Sequence, residues 1–316
     1  MYIEGGDVYM SFNLYLAGGD TRAVETELFK LGANRLYSQL NDRKLGQRWL
    51  DYNRDVAPRK IFVDSGAYSA HTKGRKLDVD EYIDYVNSNK GSYQAIAQVD
   101  TIPGEFGKPK TRQQLKEAPE LSWQNYLYMR PKVIDVDCLL PIFHQGEDFK
   151  HLQRILDWTD EEGKHIPYIG ISPSNDVATK HKDPWFSMCF KLIKQSSNPH
   201  VKTHAFGMTS LPLLEKYPFY SADSTSWIMI SANGSIFTPW GTVTVSDVQQ
   251  DNPKHIKWLS KNRLQVIEQQ LDKYNLTLDN CRQDYKARYI YNAMYLMDWA
   301  KNYKFKGNNV YQKRLF

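Results

Sequence analysis

The first 223 residues alternate between short apolar runs and segments whose apolar positions recur at helical spacing. Several of the runs are continuously apolar, which is typical of strands buried on both faces of a sheet. They predict eight strands, at residues 8–17, 34–38, 60–64, 94–100, 138–144, 167–172, 201–206 and 219–223. The segments with helical periodicity are residues 20–31, 78–88, 147–158, 183–194 and 210–216.

Strands that alternate with helices in this way favour an α/β fold, a (β/α)8 TIM-like barrel with a C-terminal helical appendage. A doubly wound parallel sheet is the competing arrangement. After residue 223 the pattern changes, because residues 227–245 alternate like strands and carry turn signals at Asn233 with Gly234 and at Trp240 with Gly241. Two amphipathic helices are expected next. The second spans residues 281–302, and one face of the first carries Leu264, Ile267, Leu271 and Tyr274.

The basic residues are concentrated at the end of the chain. Residues 252–316 contain 13 Lys and Arg against 5 Asp and Glu, whereas the whole chain has a net charge of +5. We therefore expect a barrel domain at residues 1–250 and a basic helical extension at residues 251–316 that packs on the barrel. Such a basic region favours a polyanion partner, with a solvated helical face as the alternative. The candidate nucleic-acid-binding residues are Lys254, Lys257, Lys261, Arg263, Lys286 and Arg288.

Several classes of protein are excluded by what the sequence lacks. It contains no uncharged apolar run of about 18 residues, so no membrane span or membrane partner is expected. The first residues do not have the pattern of a secretory signal. The three cysteines, Cys138, Cys189 and Cys281, are far apart, which fits a reducing compartment. The expected location is the cytoplasm.

Three aspartates follow predicted strands. Asp64, Asp100 and Asp223 come at the ends of the third, fourth and eighth strands, and strand ends form the active-site face of a TIM barrel. Each aspartate alone could simply cap the next helix. Together they form a costly cluster of negative charge, which indicates a functional site. A pair of carboxylates can carry out retaining glycosyl transfer, in which one attacks the anomeric carbon and the other moves protons.

Other residues at the strand ends fit a planar ligand. Tyr68 and Phe206 could stack on the two faces of a base, or could simply pack in the loop and the core. Small residues such as Gly146 and Gly170 allow a ligand to approach the backbone. We interpret His144 and His204 as structural histidines, with contact to a bound nucleotide or its phosphate as the alternative.

Five short segments then resemble a known family in order and spacing, from about residue 9 to residue 227. Residues 63–68, VDSGAY, resemble the DSGG(F/Y)Q signature of tRNA-guanine transglycosylases. Residues 144–146 (HQG) resemble the QGG turn of that family, residues 169–171 (IGI) its GG(L/F) strand end and residues 206–207 (FG) its MG segment. Residues 220–224, YSADS, resemble the strand that carries the nucleophilic aspartate of the family.

The resemblance implies a role for each matching residue. Asp223 would be the nucleophile at C1′ of the target nucleotide, and Asp64 the general acid and base. Asp100 would bind the edge of a guanine-like base, and Tyr68 and Phe206 would stack on its faces. The remaining substrate-binding candidates implied by the resemblance are Ser65, Gln145, Gly146 and Gly170.

The sequence also departs from that family. The tRNA enzymes carry a CxCxxC…H zinc site after the nucleophile strand, whereas Cys281 and His255 are the only cysteine and histidine beyond Asp223 here. No structural metal and no other cofactor is therefore expected. Ala67 and Ser69 also replace a Gly and the Gln of the signature. The chain is more similar to the DpdA-like DNA-guanine transglycosylases of bacteria and phages, which insert 7-deazaguanine derivatives into DNA. This resemblance implies the host cytoplasm as the location if the chain is encoded by a phage.

The resemblance implies that the chain exchanges guanine in DNA for a 7-deazaguanine base such as preQ0, through a covalent aspartyl–nucleotide intermediate. The target nucleotide would have to leave the base stack, and a partner protein could help to open the duplex. A tRNA-directed transglycosylase is the nearest alternative. A retaining glycoside hydrolase and a non-catalytic nucleic-acid-binding subunit are the others.

Overall fold

The computed structural model describes residues 2–4, 7–9, 12–19, 22–54, 60–174, 178–208 and 210–307. Within these residues, a parallel sheet that is nearly closed into a barrel confirms the predicted TIM-like fold. Its strands, numbered here in chain order, are β1 (Asn13–Ala17), β2 (Arg35–Ser38), β3 (Ile61–Asp64), β4 (Ala95–Ala97), β5 (Leu139–Leu140 and Ile142–His144), β6 (Tyr168–Ser172), β7 (Lys202–Ala205) and β8 (Ser221–Ser224). A separate antiparallel hairpin pairs Tyr2–Glu4 with Asp7–Tyr9, so the predicted strand at residues 8–17 is two strands.

Strand β5 brings the two edges of the sheet together, because its two segments pair with different strands. Proline has no N–H group, and Pro141 interrupts this strand between its two segments. The first segment pairs with β4, where Leu140 O accepts a hydrogen bond from Gln98 N at 3.0 Å. The second segment pairs with β6, where Pro141 O accepts from Gly170 N at 2.8 Å. The two ends of the sheet order are therefore consecutive segments of one strand.

The register decides which side chains face the interior of the barrel. His204 on β7 lies opposite Ser221 on β8 and Gly170 on β6, and Gly170 lies opposite Ile142 on β5. Side chains alternate between the two faces of a strand. Phe206 comes two residues after His204, and Asp223 comes two residues after Ser221. Both consequently share the interior face with His204.

Helices follow most of the barrel strands. The side chain of Asp78 caps one by accepting from the N–H groups of Asp80 and Glu81, and Asp148 caps another by accepting from Lys150 N. The bounds of these two helices were predicted to within a few residues. Three other helices, at residues 39–53, 67–72 and 112–129, were not predicted. The barrel helices are Gln39–Asn53, Ala67–Thr72, Val79–Ser88, Arg112–Met129, Phe149–Asp157, Thr179–Gln195 and Leu211–Lys216.

The chain divides into two compact units. The barrel unit contains the described residues of 1–15, 34–223 and 304–307, and the second unit contains those of 16–33 and 224–303. The expected boundary at residue 250 falls inside the second unit, whose hairpin shares a buried cluster with the helices that follow it. The elements of the second unit are Arg22–Lys30, Ser226–Ala232, Ser235–Thr238, Gly241–Thr244, Lys261–Asp272, Leu278–Gln283 and Tyr285–Lys301. The predicted helix start at residues 20 and 21 lies outside the described residues.

Two expectations for the second unit are wrong in part. Residues 226–232 form a helix rather than a strand, with Trp227 and Ser231 buried on one face and Ser231 Oγ donating to Trp227 O at 2.6 Å. Gly234, at φ +71°, follows this helix and does not form a hairpin turn. The turn at Trp240 and Gly241 is confirmed. The predicted helix at 281–302 is two helices, because Asp284 adopts an extended conformation and caps the second.

No helix among the described residues is long and apolar enough to cross a membrane.

Candidate active site

Asp223 lies at the end of β8 and is 7% exposed. Its Oδ1 accepts hydrogen bonds from Gly207 N at 2.8 Å and from His204 Nε2 at 3.2 Å. Gly207 follows β7 and has a φ of +55°, a left-handed conformation that glycine adopts without strain. Two fixed donors from the neighbouring strand therefore hold a buried carboxylate in one orientation.

His204 connects Asp223 to a buried chain of polar groups. It is fully buried, its Nδ1 lies 2.6 Å from Ser221 Oγ, and Ser221 Oγ also contacts the hydroxyl of Tyr168. Burial lowers the pKa of His204 below its usual 6.5, although Asp223 acts in the opposite direction. We therefore treat the ring as neutral at pH 7, with a single N–H group.

The neutral ring fixes the direction of each hydrogen bond in this chain. A carboxylate can only accept, so the N–H must be on Nε2 and must donate to Asp223. Nδ1 then accepts from the hydroxyl of Ser221, which in turn accepts from the hydroxyl of Tyr168. Burial raises the pKa of Tyr168 well above its usual value, so this phenol remains a donor. Three side chains from β6, β7 and β8 thus orient one aspartate.

An aromatic layer in the barrel interior surrounds His204. Phe62 on β3 lies 4.4 Å from His204 and 5.6 Å from Phe206 between ring centroids, and Tyr15 lies 5.6 Å from Phe62. His204 and Phe206 are 4.5 Å apart in an edge-to-face arrangement. The layer brings residues from β3 and β7 together across the barrel.

Asp64 points to the same interior. It follows Phe62 by two residues and so lies on the same face of β3, at the carboxyl end of the strand. Its Oδ2 accepts from Gly66 N at 3.0 Å. Gly66 has a φ of +82°, and a Cβ there would lie 2.6 Å from Ser38 Oγ, so this turn requires glycine. Asp64 and Asp223 are therefore both positioned at the carboxyl ends of strands that enclose one aromatic layer.

Asp100 is held differently. Its Oδ1 accepts from Gln98 Nε2 at 2.6 Å, and its Oδ2 lies 3.2 Å from His144 Nε2. The other ring nitrogen of His144 lies 3.2 Å from Glu147 Oε1. Burial by itself would lower the pKa of His144, but Asp100 and Glu147 outweigh it and raise the pKa to about 10. His144 is consequently an imidazolium at pH 7.

The two histidines give the aspartates opposite electrostatic environments. His144 places a positive charge beside Asp100, whereas the neutral His204 places none beside Asp223. A buried carboxylate that is held by hydrogen bonds and has no cation beside it is suited to attack an electrophile. A carboxylate beside a cation is suited to accept hydrogen bonds from the donor edge of a ligand.

Gly170 and Phe206 form one wall. A Cβ on Gly170 would lie 2.5 Å from Phe206 Cε2, so the ring packs directly over this glycine. Gln145 Oε1 accepts from Ser174 N at 3.0 Å, which ties the loop after β5 to the loop after β6. Gly146, between Gln145 and Glu147, has a φ of +105° and open space where a Cβ would be. These positions lie on β6, directly after β7 or in the loops that follow β5 and β6.

Two other predicted residues are placed less centrally. Ser65 is buried, and its Oγ accepts from Ala67 N at 3.4 Å within the turn after β3. Tyr68 lies on the helix that follows and is 61% exposed. Its stacking on a base remains a prediction.

Five of the six predicted nucleic-acid-binding residues have exposed side chains in the second unit, namely Lys254, Lys257, Lys261, Arg263 and Lys286. Arg288 requires a correction. It is 6% exposed, and its guanidinium donates to Ser231 O at 2.8 Å and to Cys281 O at 2.6 Å. Because it is buried and its Nε and Nη1 donate to those carbonyls, we interpret Arg288 as a structural residue rather than a phosphate contact.

Sequence reasoning missed the partners of the aspartates. It noted His144 and His204 but interpreted them as structural, and it did not consider Gln98 or Glu147. The spacing of His204 with Phe206 and of Ser221 with Asp223 was an available signal, because each pair shares a strand face. Within the described parts of the chain, no group of three or more potential ligands is placed to hold a metal ion.

No protein-family model and no curated protein gives a significant match to this chain.

Proposed function

We propose that the chain is a guanine transglycosylase acting on DNA, which replaces guanine with a 7-deazaguanine base through a covalent intermediate on Asp223. The observation that carries this proposal is the buried Asp223 carboxylate, held by Gly207 and a neutral His204. The position of Asp64 on the same interior face and the resemblance of five ordered segments to guanine transglycosylases also support it.

In the first step, Asp223 attacks C1′ of the target nucleotide. Both donors lie on Oδ1, so we assign the attack to Oδ2. A C1′–O bond forms while the C1′–N9 bond breaks, and the bonding electron pair leaves with guanine. Asp64, in its protonated form, supplies the proton that the departing base needs.

In the second step the incoming base displaces Asp223 from C1′ and completes the exchange. It loses the N9 proton to the Asp64 carboxylate, and its N9 then forms a bond to C1′ as the C1′–O bond to Asp223 breaks. Asp64 is thereby protonated again and Asp223 returns to a carboxylate. The two displacements retain the configuration at C1′.

The base would be recognised at the Asp100 side of the site. The Watson–Crick edge of guanine presents N–H donors, and the Asp100 carboxylate can accept them while His144 and Gln98 hold it. Phe206 would stack on one face of the base, and Tyr68 would close over the other. The backbone near Gly146 and Gly170 would lie close to the base edge.

An incorporation assay tests this function. Purified protein is incubated with labelled preQ0 and either duplex DNA, single-stranded DNA or tRNA, and the label in the nucleic acid is measured. The proposal predicts label in DNA, loss of incorporation in Asp223→Asn and Asp64→Asn, and normal incorporation in Asp84→Asn, which changes an exposed helical aspartate. Label in tRNA alone would assign the tRNA-directed activity instead, and no label in any nucleic acid would refute base exchange.

A further inference from the structure

Two exposed indoles in the second unit lie beside basic side chains. Trp258 is 67% exposed and Trp240 is 37% exposed. The Lys257 ammonium lies 4.9 Å from the centroid of the Trp258 ring, and the Arg263 guanidinium lies 5.0 Å from that of Trp240. We call these two indole–cation pairs, together with the exposed Lys261, the tryptophan platform.

The platform has a rigid support. Trp240 is at the tip of the hairpin that ends in Gly241–Thr244, Trp258 ends the 3-10 turn Ile256–Trp258, and Arg263 is in the first turn of Lys261–Asp272. These three elements contribute Val243, Ile256 and Ile267, respectively, to one buried cluster. The indoles and cations therefore have fixed positions on a common core, so little conformational entropy is lost when they bind a ligand.

The charge of this region is of one sign. Residues 252–267 contain Lys254, Lys257, Lys261 and Arg263 and no acidic residue. Lys261 and Arg263 lie in the first turn of their helix, where the helix dipole disfavours positive charge. Helix stability thus does not explain their placement.

We propose that the tryptophan platform binds single-stranded nucleic acid, with bases stacked on Trp240 and Trp258 and phosphates contacted by the neighbouring cations. Nonspecific single-strand binding combines aromatic stacking with a basic track in this way. A duplex hides the faces of its bases, so the indoles would contribute little to duplex binding. A membrane surface fits less well, since the helix that follows directs its apolar residues into the core and leaves no apolar face to insert into a bilayer.

The biological role of the tryptophan platform rests on the proposed function, because it would bind the nucleic acid on which the chain acts. Enzymes that act on a base either use a single-stranded substrate or flip the nucleotide out of a duplex, so affinity for single strands fits base exchange. Binding itself requires neither Asp64 nor Asp223. It can therefore be measured whether or not the chain exchanges bases.

The test uses the full chain and a fluorescently labelled oligothymidylate, followed by anisotropy at several salt concentrations. Trp258→Ala and Trp240→Ala should each weaken binding by about 5- to 150-fold with little change in the salt dependence, because stacking is lost but phosphate contacts remain. Lys257→Ala should reduce the slope of log K against log salt by about 0.7. Lys116→Ala, which changes an exposed lysine on the barrel helix Arg112–Met129, is the matched control and should leave the affinity within about twofold.

Both indoles are exposed, so thermal unfolding should show that the variants remain folded. Unchanged affinity in both tryptophan variants would overturn the platform, as would binding to phosphatidylserine vesicles in preference to the oligonucleotide. A protein that binds the strand through these tryptophans but incorporates no base would refute base exchange and leave the platform standing. Incorporation of the base together with normal strand binding in both variants would refute the platform and leave base exchange standing.

Discussion

His204 Nε2 donates to Asp223 Oδ1 at 3.2 Å, and both side chains are almost entirely removed from solvent. The histidine is neutral because burial lowers its pKa, and its second nitrogen is occupied by Ser221. The carboxylate therefore accepts two hydrogen bonds on Oδ1 and has one fixed orientation. In this account His204 is a positioning residue that acts on the target nucleotide through Asp223.

Substitution of His204 separates positioning from a purely structural role. His204→Ala removes the donor to Asp223 and should reduce the turnover of base exchange by about 100-fold, with a small change in KM for the base. His204→Gln can place an amide N–H near the position of Nε2 and should recover most of that loss. Steady-state incorporation kinetics with labelled preQ0 measure both effects.

Thermal unfolding provides the control for this comparison, because either variant could lower stability. If His204→Gln and His204→Ala are equally slow at matched folded fractions, the hydrogen bond to Asp223 has no special importance. A KM effect without a turnover effect would also contradict the positioning role.

The environment of His144 predicts a pH dependence of stability. Its pKa in the folded protein is raised to about 10, so the ion pairs with Asp100 and Glu147 stabilise the fold fully below the ordinary pKa of about 6.5. That contribution should decline as the pH rises from 6.5 and be lost near pH 10. His144→Gln should consequently unfold at lower urea than wild type at pH 6, and the gap should narrow towards pH 10.

His200→Gln is the matched control, since His200 is exposed. It should unfold like the wild type at each pH. A gap for His144→Gln that stays constant between pH 6 and pH 10 would show that His144 is not an imidazolium in the folded protein.

The contact between Gly170 and Phe206 predicts that substitutions at these two positions have non-additive effects on the free energy of unfolding. Gly170→Ala places a methyl group 2.5 Å from Phe206 Cε2, so the ring must move, and we expect a loss of about 1–3 kcal/mol of unfolding free energy. Phe206→Leu removes the atoms that clash. A double-mutant cycle in urea should show a favourable interaction of about 0.5–3 kcal/mol between the two changes, whereas strictly additive losses would contradict the packing.

The structural role of Arg288 can also be tested. Arg288→Ala leaves buried carbonyls without donors and should destabilise the protein by about 3 kcal/mol or more, measured by urea unfolding. Lys286→Ala, two residues away and exposed, should change stability by no more than about 0.5 kcal/mol. An Arg288→Ala protein of normal stability with weakened nucleic-acid binding would restore Arg288 to the binding surface.

The barrel could be predicted from the sequence because its strands are short, apolar and buried on both faces. Each of the eight predicted segments contains a strand of the sheet, although Pro141 divides the fifth into two segments. The helix at residues 226–232 was misread because Trp227, Ile228 and Ile230 resemble an alternating strand. The spacing of four residues between the buried Trp227 and Ser231 was the contrary signal.

The placement of Asp64, Asp100 and Asp223 could be predicted because each lies at or shortly after the end of a strand, and strand ends meet at one face of a barrel. Their partners could not, because the contact of His204 with Asp223 depends on the register between β7 and β8. Alternation along a strand gives the face of a side chain but not its register against the next strand. The burial of Arg288 likewise depends on the Ser231 and Cys281 carbonyls, which the sequence does not place near it.

The most direct measurement of the central claim is mass spectrometry of the protein trapped under denaturing conditions with guanine-containing DNA. The account predicts a protein–DNA adduct in the wild type that maps to the peptide containing Asp223 and is absent from Asp223→Asn. It also predicts that adding preQ0 releases the adduct with preQ0 in place of guanine. An adduct that persists in Asp223→Asn, or base exchange without any adduct in the wild type, would contradict the claim that Asp223 is the nucleophile.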